Sequence, residues 1–429
     1  MIAIVSETGD GAGLAVHLTR QGNDVAFIPK DHSCMPMLQG VVKRVAQYPP
    51  VSHYDLTLID GLGFDRLSHW WRKRGPVIGG NTLEIWEKKR ELGLEVMEHA
   101  GLRMSTTHAF DNLPAAEKFL RQAEGDWYFK PDGHVPKAMT RKGDTETLLR
   151  FLHWARPQLA KVPRFVLQAP APDGCEIDVA VWFDGKQPVS FEVTIEEKKF
   201  MVGDHGPALG CASNIVWEIP ESCRLVKLAL APFLDALAAS NYVGIAAVNT
   251  IITPTLDVYG LEWTMRTGWD STQASCAIFD ESLATQLTEF AQGGLSQFYR
   301  PKKAGMTLRL SMPPQPMENS KDDKQQVGLP LPSAVLDDHS FWPEDVACER
   351  DGPVSACGSG FLGAAVTTGT DVTAMRSALL ATADGLDIPD LMYRTDPVSR
   401  LEEALKFLHE HRLCPTPLGT PSKGASVPA

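Results

Sequence analysis

The feature that most constrains this chain is an alternation of short apolar runs with helical patterns at its amino terminus. Residues 2–5 form an apolar run that ends at the glycine-dense segment Gly9-Asp10-Gly11-Ala12-Gly13, and residues 14–21 carry apolar side chains at helical spacing. Residues 24–29 and 55–60 read as further strands, 66–74 as a helix and 76–79 as one more strand. Strands that alternate with helices in this way argue for a parallel sheet covered on both faces. The glycines follow a strand and open a helix, but their spacing is not the G-x-G-x-x-G of a dinucleotide fingerprint, so the segment reads as a tight strand-to-helix turn.

Further along the pattern changes. Residues 82–101 predict one long helix, with Leu83, Trp86, Leu92, Val96 and Met97 as its apolar stripe and Glu84, Glu87, Lys88, Lys89 and Arg90 on a solvated face. Residues 126–140 predict a strand and hairpin loop, and 165–168, 176–183 and 189–194 predict short strands of an antiparallel sheet. A helix over 223–239 precedes strands at 244–252 and 258–264. Residues 301–323 mix Pro, Lys, Ser and Asp with little apolar periodicity and read as a connection. Strands at 327–331 and 361–367 and helices at 371–384 and 398–411 suggest a small α+β unit, and the Pro/Gly-rich stretch 415–429 reads as a disordered tail.

Composition excludes several classes. A chain of 429 residues is too long for a single small module. With 41 Lys+Arg against 53 Asp+Glu the net charge is −12, the wrong sign for a protein that gains affinity from nucleic-acid phosphates or anionic lipid. The eight cysteines are scattered without a CxxC pair, so they read as reduced thiols rather than a disulfide framework or zinc ligands. The amino terminus meets Glu7 and Asp10 without a basic leader region, and no stretch reaches the ~20 uncharged apolar residues of a membrane span. A cytoplasmic protein is expected.

Three groups of residues carry chemistry-bearing side chains. Lys130 ends a strand just before Pro131-Asp132-Gly133, with Lys137 across the loop. Such lysines neutralise nucleotide phosphates, or they are ordinary surface charge. Glu262 and Thr264 share one strand face because side chains alternate, and Arg266 follows. Two oxygen donors on one face suit Mg²⁺, which takes its other ligands from water and phosphate; the alternative is a decorated strand edge. Gly203-Asp204-His205-Gly206-Pro207-Ala208-Leu209-Gly210 reads as a loop, with or without backbone amides aimed at an anion.

Taken in order, these pieces resemble the ATP-grasp superfamily, in particular its phosphoribosylamine–glycine ligase branch. The family's Val-Val-Lys-Ala-Asp-Gly strand is similar to Tyr128-Phe129-Lys130-Pro131-Asp132-Gly133, and its hinge and Gly-x-Glu element to Val166-Leu167-Gln168 and Gly174-Cys175-Glu176. Its Asp-x-Lys-Arg stretch is similar to Glu196-Glu197-Lys198-Lys199, and its Gly-Asp-x-Gly-Pro-Asn-Thr-Gly stretch to residues 203–210. Its Glu-Phe-Asn-x-Arg-Phe-Gly is similar to Glu262-Trp263-Thr264-Met265-Arg266-Thr267-Gly268, and its last domain's limits to Ser359-Gly360-Phe361-Leu362-Gly363 and Tyr393-Arg394-Thr395-Asp396. The departures are Gly9-Asp10-Gly11-Ala12-Gly13 for Gly-Gly-Arg-Glu-His, Pro136-Lys137-Ala138 for the Gly-Lys-Gly loop, Gln168 for the hinge Glu, and Thr264 for the metal-site Asn.

The resemblance implies an α/β and α+β architecture: a Rossmann-like domain over 1–104, a two-lobed ATP-grasp domain over 105–300, a linker over 301–325, a C-terminal domain over 326–413 and a flexible tail over 414–429. It implies an ATP-dependent ligase that joins a carboxylate to an amine through an acyl phosphate, on the pattern of phosphoribosylamine–glycine ligase in purine biosynthesis, with ATP and Mg²⁺ or Mn²⁺ as cofactors. Lys130, Lys137, Gln168 and Glu176 would contact ATP, Glu262 and Thr264 the metal, and Asp204, Gly206, Pro207 and Gly268 the substrate. Arg266 and Lys198 would serve catalysis. The expected partners are a small-molecule amine and an amino acid, without membrane or nucleic acid, in a monomer or weak homodimer. A nucleotide-binding protein without turnover, a ligase acting on a modified nucleobase, and a dehydrogenase are the competing readings.

Overall fold

The computed structural model describes residues 1–45, 54–131, 139–159, 162, 164–269, 271–279, 282–316 and 327–419. The amino-terminal strands form a parallel sheet in the order Lys43–Arg44, Val25–Pro29, Ile2–Ser6, Leu56–Ile59, Val77–Ile78. Its three central strands are buried at every position, which is why apolar residues dominate them, with Ser6 and Thr57 as buried polar members. The helix Ala12–Arg20 follows the glycine turn as expected.

The predicted helix over 82–101 is instead three pieces: a 3₁₀ turn at Thr82–Glu84, a short helix Ile85–Lys88 and a second helix Arg90–His99. The break is Lys89, with φ −112° and ψ 89°. It lets both helices pack on the strand Val258–Thr264, where Trp263 Nε1 donates to the Gly93 carbonyl at 3.1 Å. The predicted helix over 223–239 is likewise divided, at Leu230 and the 3₁₀ turn Ala231–Phe233, where Pro232 supplies no amide hydrogen.

A four-stranded sheet in the order Thr107–Phe110, Phe165–Gln168, Trp127–Pro131, Arg141–Gly143 forms one lobe, with the helices Leu113–Leu120 and Thr145–Leu159 packed on it. The other lobe is an eight-stranded antiparallel sheet in the order Val258–Thr264, Val243–Ile252, Cys175–Asp184, Pro188–Met201, His205–Ile219, Ala304–Ser311, Phe361–Gly369, Phe341–Pro343.

That sheet corrects two expectations. The connection predicted over 301–323 contains the strand Ala304–Ser311, seven of whose eight residues are buried, so the sheet runs without interruption across the expected linker into the C-terminal strands. The segment 203–210 is not a loop but the tip of a long hairpin, with a tight turn at Val202–Asp204 and His205–Ile219 pairing back on Pro188–Met201. The tail is partly docked too: Trp217 Nε1 donates to the Pro415 carbonyl at 3.1 Å, Leu418 is buried, and Gly419 N donates to the Thr370 carbonyl at 3.0 Å. Among the described residues no helix is long and apolar enough to cross a membrane.

Candidate active site

The strands Cys175–Asp184, Pro188–Met201, Val243–Ile252 and Val258–Thr264 present one row of polar side chains on a shared face. Residues two apart on a strand point the same way, so Glu176 and Asp178 project together, as do Glu196 and Lys198, and Glu262 with Thr264. Cross-strand register then joins the sets, pairing Asp178 with Asn249 and Asn249 with Glu262. Asn249 Nδ2 donates to Asp178 Oδ1, while Asn249 Oδ1 is buried without a partner.

Lys198 is the cation of this row. Its ammonium donates to Glu176 Oε1 at 2.5 Å and lies 3.9 Å from Glu196 Oε2. Burial alone would lower its pKa, but Glu176, Glu196, Glu262 and Asp178 outweigh that and raise it well above the usual lysine value. Glu176 answers in kind: burial opposes its ionisation, yet Lys198 brings its pKa below the usual value. Asp178 is pushed well up, first by burial and then by Glu196.

The other lobe contributes Lys130, at the end of Trp127–Pro131, whose Nζ donates to Gln168 Oε1 at 2.6 Å. Gln168 is buried, and its Nε2 donates to Thr107 Oγ1 at 3.1 Å. The Lys130 pKa falls to about 8, because the ammonium is buried and faces the positive charges of Arg90 and Lys198. The two lobes thus bring lysines from separate sheets within electrostatic reach of each other.

A cavity of about 280 Å³ opens beside Glu262, lined among others by Glu87, Arg90, Thr264 and Arg266. Arg90 reaches Glu262 Oε2 at 3.4 Å. Arg266 is held by Glu87 at 3.0 Å and Asp10 at 3.6 Å, which ties the end of this strand to the glycine turn of the parallel sheet. Burial raises the Glu87 pKa, with Arg266 acting against it. Glu87 and Arg90, expected on a solvated face, instead line the cavity, from the end of the first helix and the start of the second on either side of the break at Lys89.

The fate of each sequence-nominated residue follows from these contacts. Lys130, Gln168, Glu176, Lys198, Glu262, Thr264 and Arg266 gather around the junction of the two lobes. Gly268 closes the turn into the helix Ser271–Ile278, its carbonyl accepting from Thr272 N at 3.2 Å. Asp204, Gly206 and Pro207 lie on the hairpin tip, where, among the described residues, the contacts run to Lys199, Met201 and Asp396. Lys137 lies outside the described residues. Asp178, Glu196, Asn249, Glu87 and Arg90 were not nominated. The period-two spacing of Glu176 with Asp178 and of Glu196 with Lys198 was the available signal.

The donor set fits Mg²⁺. The orphaned Asn249 Oδ1 and its register partner Glu262 are hard oxygen donors, and Thr264 shares the Glu262 face.

No family model matches this sequence, and no curated protein matches it. Solved structures do. The chain is similar to phosphoribosylamine–glycine ligase from Thermotoga maritima, with a TM-score of 0.67 at 17% identity over 92% of this chain and 99% of that one. It is similar to the biotin carboxylase domain of 2-oxoglutarate carboxylase from Hydrogenobacter thermophilus, a complex with MgADP, ADP and bicarbonate, with a TM-score of 0.58 at 12% identity over 96% and 97%. It is also similar to L-amino acid ligase from Bacillus licheniformis, with a TM-score of 0.54 at 13% identity over 91% and 98%. The parallel amino-terminal sheet, the two lobes and these likenesses together establish that the chain has the ATP-grasp fold.

Proposed function

We propose that this protein is an ATP-dependent carboxylate–amine ligase. The γ-phosphoryl group of ATP passes to a carboxylate, the acyl phosphate is attacked by an amine, and an amide, ADP and phosphate are released. Such chemistry needs positioning and charge neutralisation more than a protein nucleophile.

The observation that carries this reading is that Lys130 and Lys198, from two different sheets, lie within electrostatic reach of each other beside a row of oxygen donors. Lys130 and Lys198 would neutralise the phosphates, with Lys137 as a further candidate, and Gln168 and Glu176 would flank the nucleotide. Glu262 and Asn249, with Thr264 or water, would hold Mg²⁺, which when bound supplies charge neutralisation on the phosphoryl oxygens. Arg266 would hold the transferred phosphate or the substrate carboxylate. Asp204, Gly206 and Pro207, on the hairpin tip, would meet substrate only by closing over the junction, and Gly268 would shape its floor.

The test is ADP release from purified protein with MgATP and a panel of amines and carboxylates, including glycine with phosphoribosylamine generated in situ, each component omitted in turn. Release that needs both an amine and a carboxylate supports the ligase. ATP binding without release under any pair would replace it by a nucleotide-binding protein, a reading favoured by the ion pair that Arg90 makes with Glu262.

A further inference from the structure

In open α/β sheets, small molecules are received at the carboxyl ends of the strands, and backbone amides there serve as receptors for phosphate. Here five such amides are taken by the protein's own oxygens. Asp60 accepts from Glu7 N at 3.0 Å and from Gly11 N at 2.5 Å, and Ser6 Oγ accepts from Gly9 N at 2.9 Å. Glu7 accepts from Leu62 N at 2.9 Å, and Glu84 from Gly63 N at 3.0 Å. The neighbouring cations are paired as well: Lys30 with Glu7 at 3.2 Å and Lys88 with Glu84 at 2.6 Å. A phosphate brought to these groups would have to displace a carboxylate at every one of them except Gly9 N.

The same edge faces Glu344, which is 1% exposed and accepts from Trp269 Nε1 and, at 2.9 Å, from Gln273 Nε2. Burial first, then repulsion from Asp10, raises the Glu344 pKa well above the usual carboxylate value, while Arg309 acts against the shift. Gln273 is 2% exposed, and its Oε1 has no partner. The glycine turn lies against this amide, since a Cβ on Gly13 would stand 3.1 Å from Gln273 Nε2. A buried acceptor without a donor, held against the glycine turn by the Gln273 to Glu344 hydrogen bond, calls for a ligand that donates hydrogen bonds rather than for an anion.

We infer that the small molecule received at this edge is an unphosphorylated amine, held as its ammonium by Asp10, Glu344 and the Gln273 amide oxygen. The inference rests on the ligase reading for the amine's role and narrows that substrate to a cation.

Two probe pairs that differ only by a phosphate test it: ethanolamine against O-phosphoethanolamine, and glucosamine against glucosamine 6-phosphate. Each is titrated calorimetrically into the full-length protein without nucleotide. The expected result is that in at least one pair the unphosphorylated member binds about tenfold tighter or more, and that Asp10→Asn loses about tenfold of that affinity. Glu344→Gln is expected to behave likewise, and Asp10→Asn decides the matter if Glu344→Gln fails to fold. Equal or tighter binding of the phosphorylated members overturns the inference, as does failure of all four probes at millimolar concentration or unchanged affinity in Asp10→Asn. Because no nucleotide is present, amine binding without ADP release would remove only the ligase reading. ADP release that requires a phosphorylated amine would remove only this inference.

Discussion

Lys198 and Glu176, on neighbouring strands, meet at 2.5 Å in the middle of an otherwise acidic row that includes Asp178 and Glu196. The lysine keeps the carboxylates of this row tolerable, and under the proposed function it would also offer a positive charge to an incoming phosphate. Replacing Lys198 by Met leaves those carboxylates facing one another. The expected outcome is a lower thermal midpoint at pH 7 that recovers partly at pH 5, together with loss of nucleotide affinity by titration. An unchanged midpoint at both pH values would refute the first role.

Glu262→Gln removes the one charged oxygen donor of the proposed cation site while leaving its shape. Turnover in Mg²⁺ is expected to fall by about a hundredfold or more, with the folded state intact by circular dichroism. A rate within a few-fold of the parent protein would move the cation elsewhere.

The Lys130 pKa of about 8 gives a pH dependence whose sign differs between binding and stability. Only the ammonium attracts phosphate, so MgATP affinity is expected to fall about tenfold between pH 7 and pH 9. The folded pKa lies below the unfolded one, so this group disfavours the fold below pH 8, and that cost lifts as pH rises toward the unfolded value. Affinity should thus fall where the Lys130 contribution to apo stability rises. Lys130→Met should flatten the affinity profile, and a profile that keeps its step would assign it to another group.

Arg394 holds the C-terminal segment to the large sheet. Its guanidinium lies 3.4 Å from Glu197 Oε2 and 2.8 Å from Asp396 Oδ1, with the side chains of Arg394 and Glu197 fully buried. Arg394→Met would leave Glu197 buried without its cation, a change expected to cost about 3–5 kcal/mol in urea unfolding. A loss below about 1 kcal/mol, no more than a surface pair is worth, would mean that Ser399 and the Arg400 amide suffice for Glu197.

Gly305 sits in the strand Ala304–Ser311 where the helix Ser271–Ile278 crosses it, and a Cβ there would run into the Ala274 carbonyl oxygen. Gly305→Ala must push helix and sheet apart, at a cost of about 1–3 kcal/mol. Thermal unfolding of the purified variant measures it, and an unshifted midpoint would show that the contact relaxes freely.

Local pattern made much of this protein legible. The unbroken apolar run at residues 2–5 marked a strand buried on both faces, and period-two spacing put Glu262 with Thr264 whatever the rest of the chain did. The ordered motifs also disclosed the fold.

The strand Ala304–Ser311 was concealed because its flanking Pro, Lys and Ser residues diluted the apolar alternation, and its place was decided by two long-range partners, His205–Ile219 and Phe361–Gly369. The helix break at Lys89 was invisible because nothing in the residues themselves forbids a continuous helix, and only packing against Trp263 rewards the turn, on either side of which Glu87 and Arg90 line the cavity. The ion pair of Asp10 with Arg266, and the electrostatic influence of Lys198 on Lys130 and of Asp10 on Glu344, join residues far apart in sequence. Sequence alone fixed which side chains share a strand face, because that follows from backbone geometry. Which faces meet, and therefore which charges must share a site, depends on burial summed over the whole chain, and only the tertiary structure settles that.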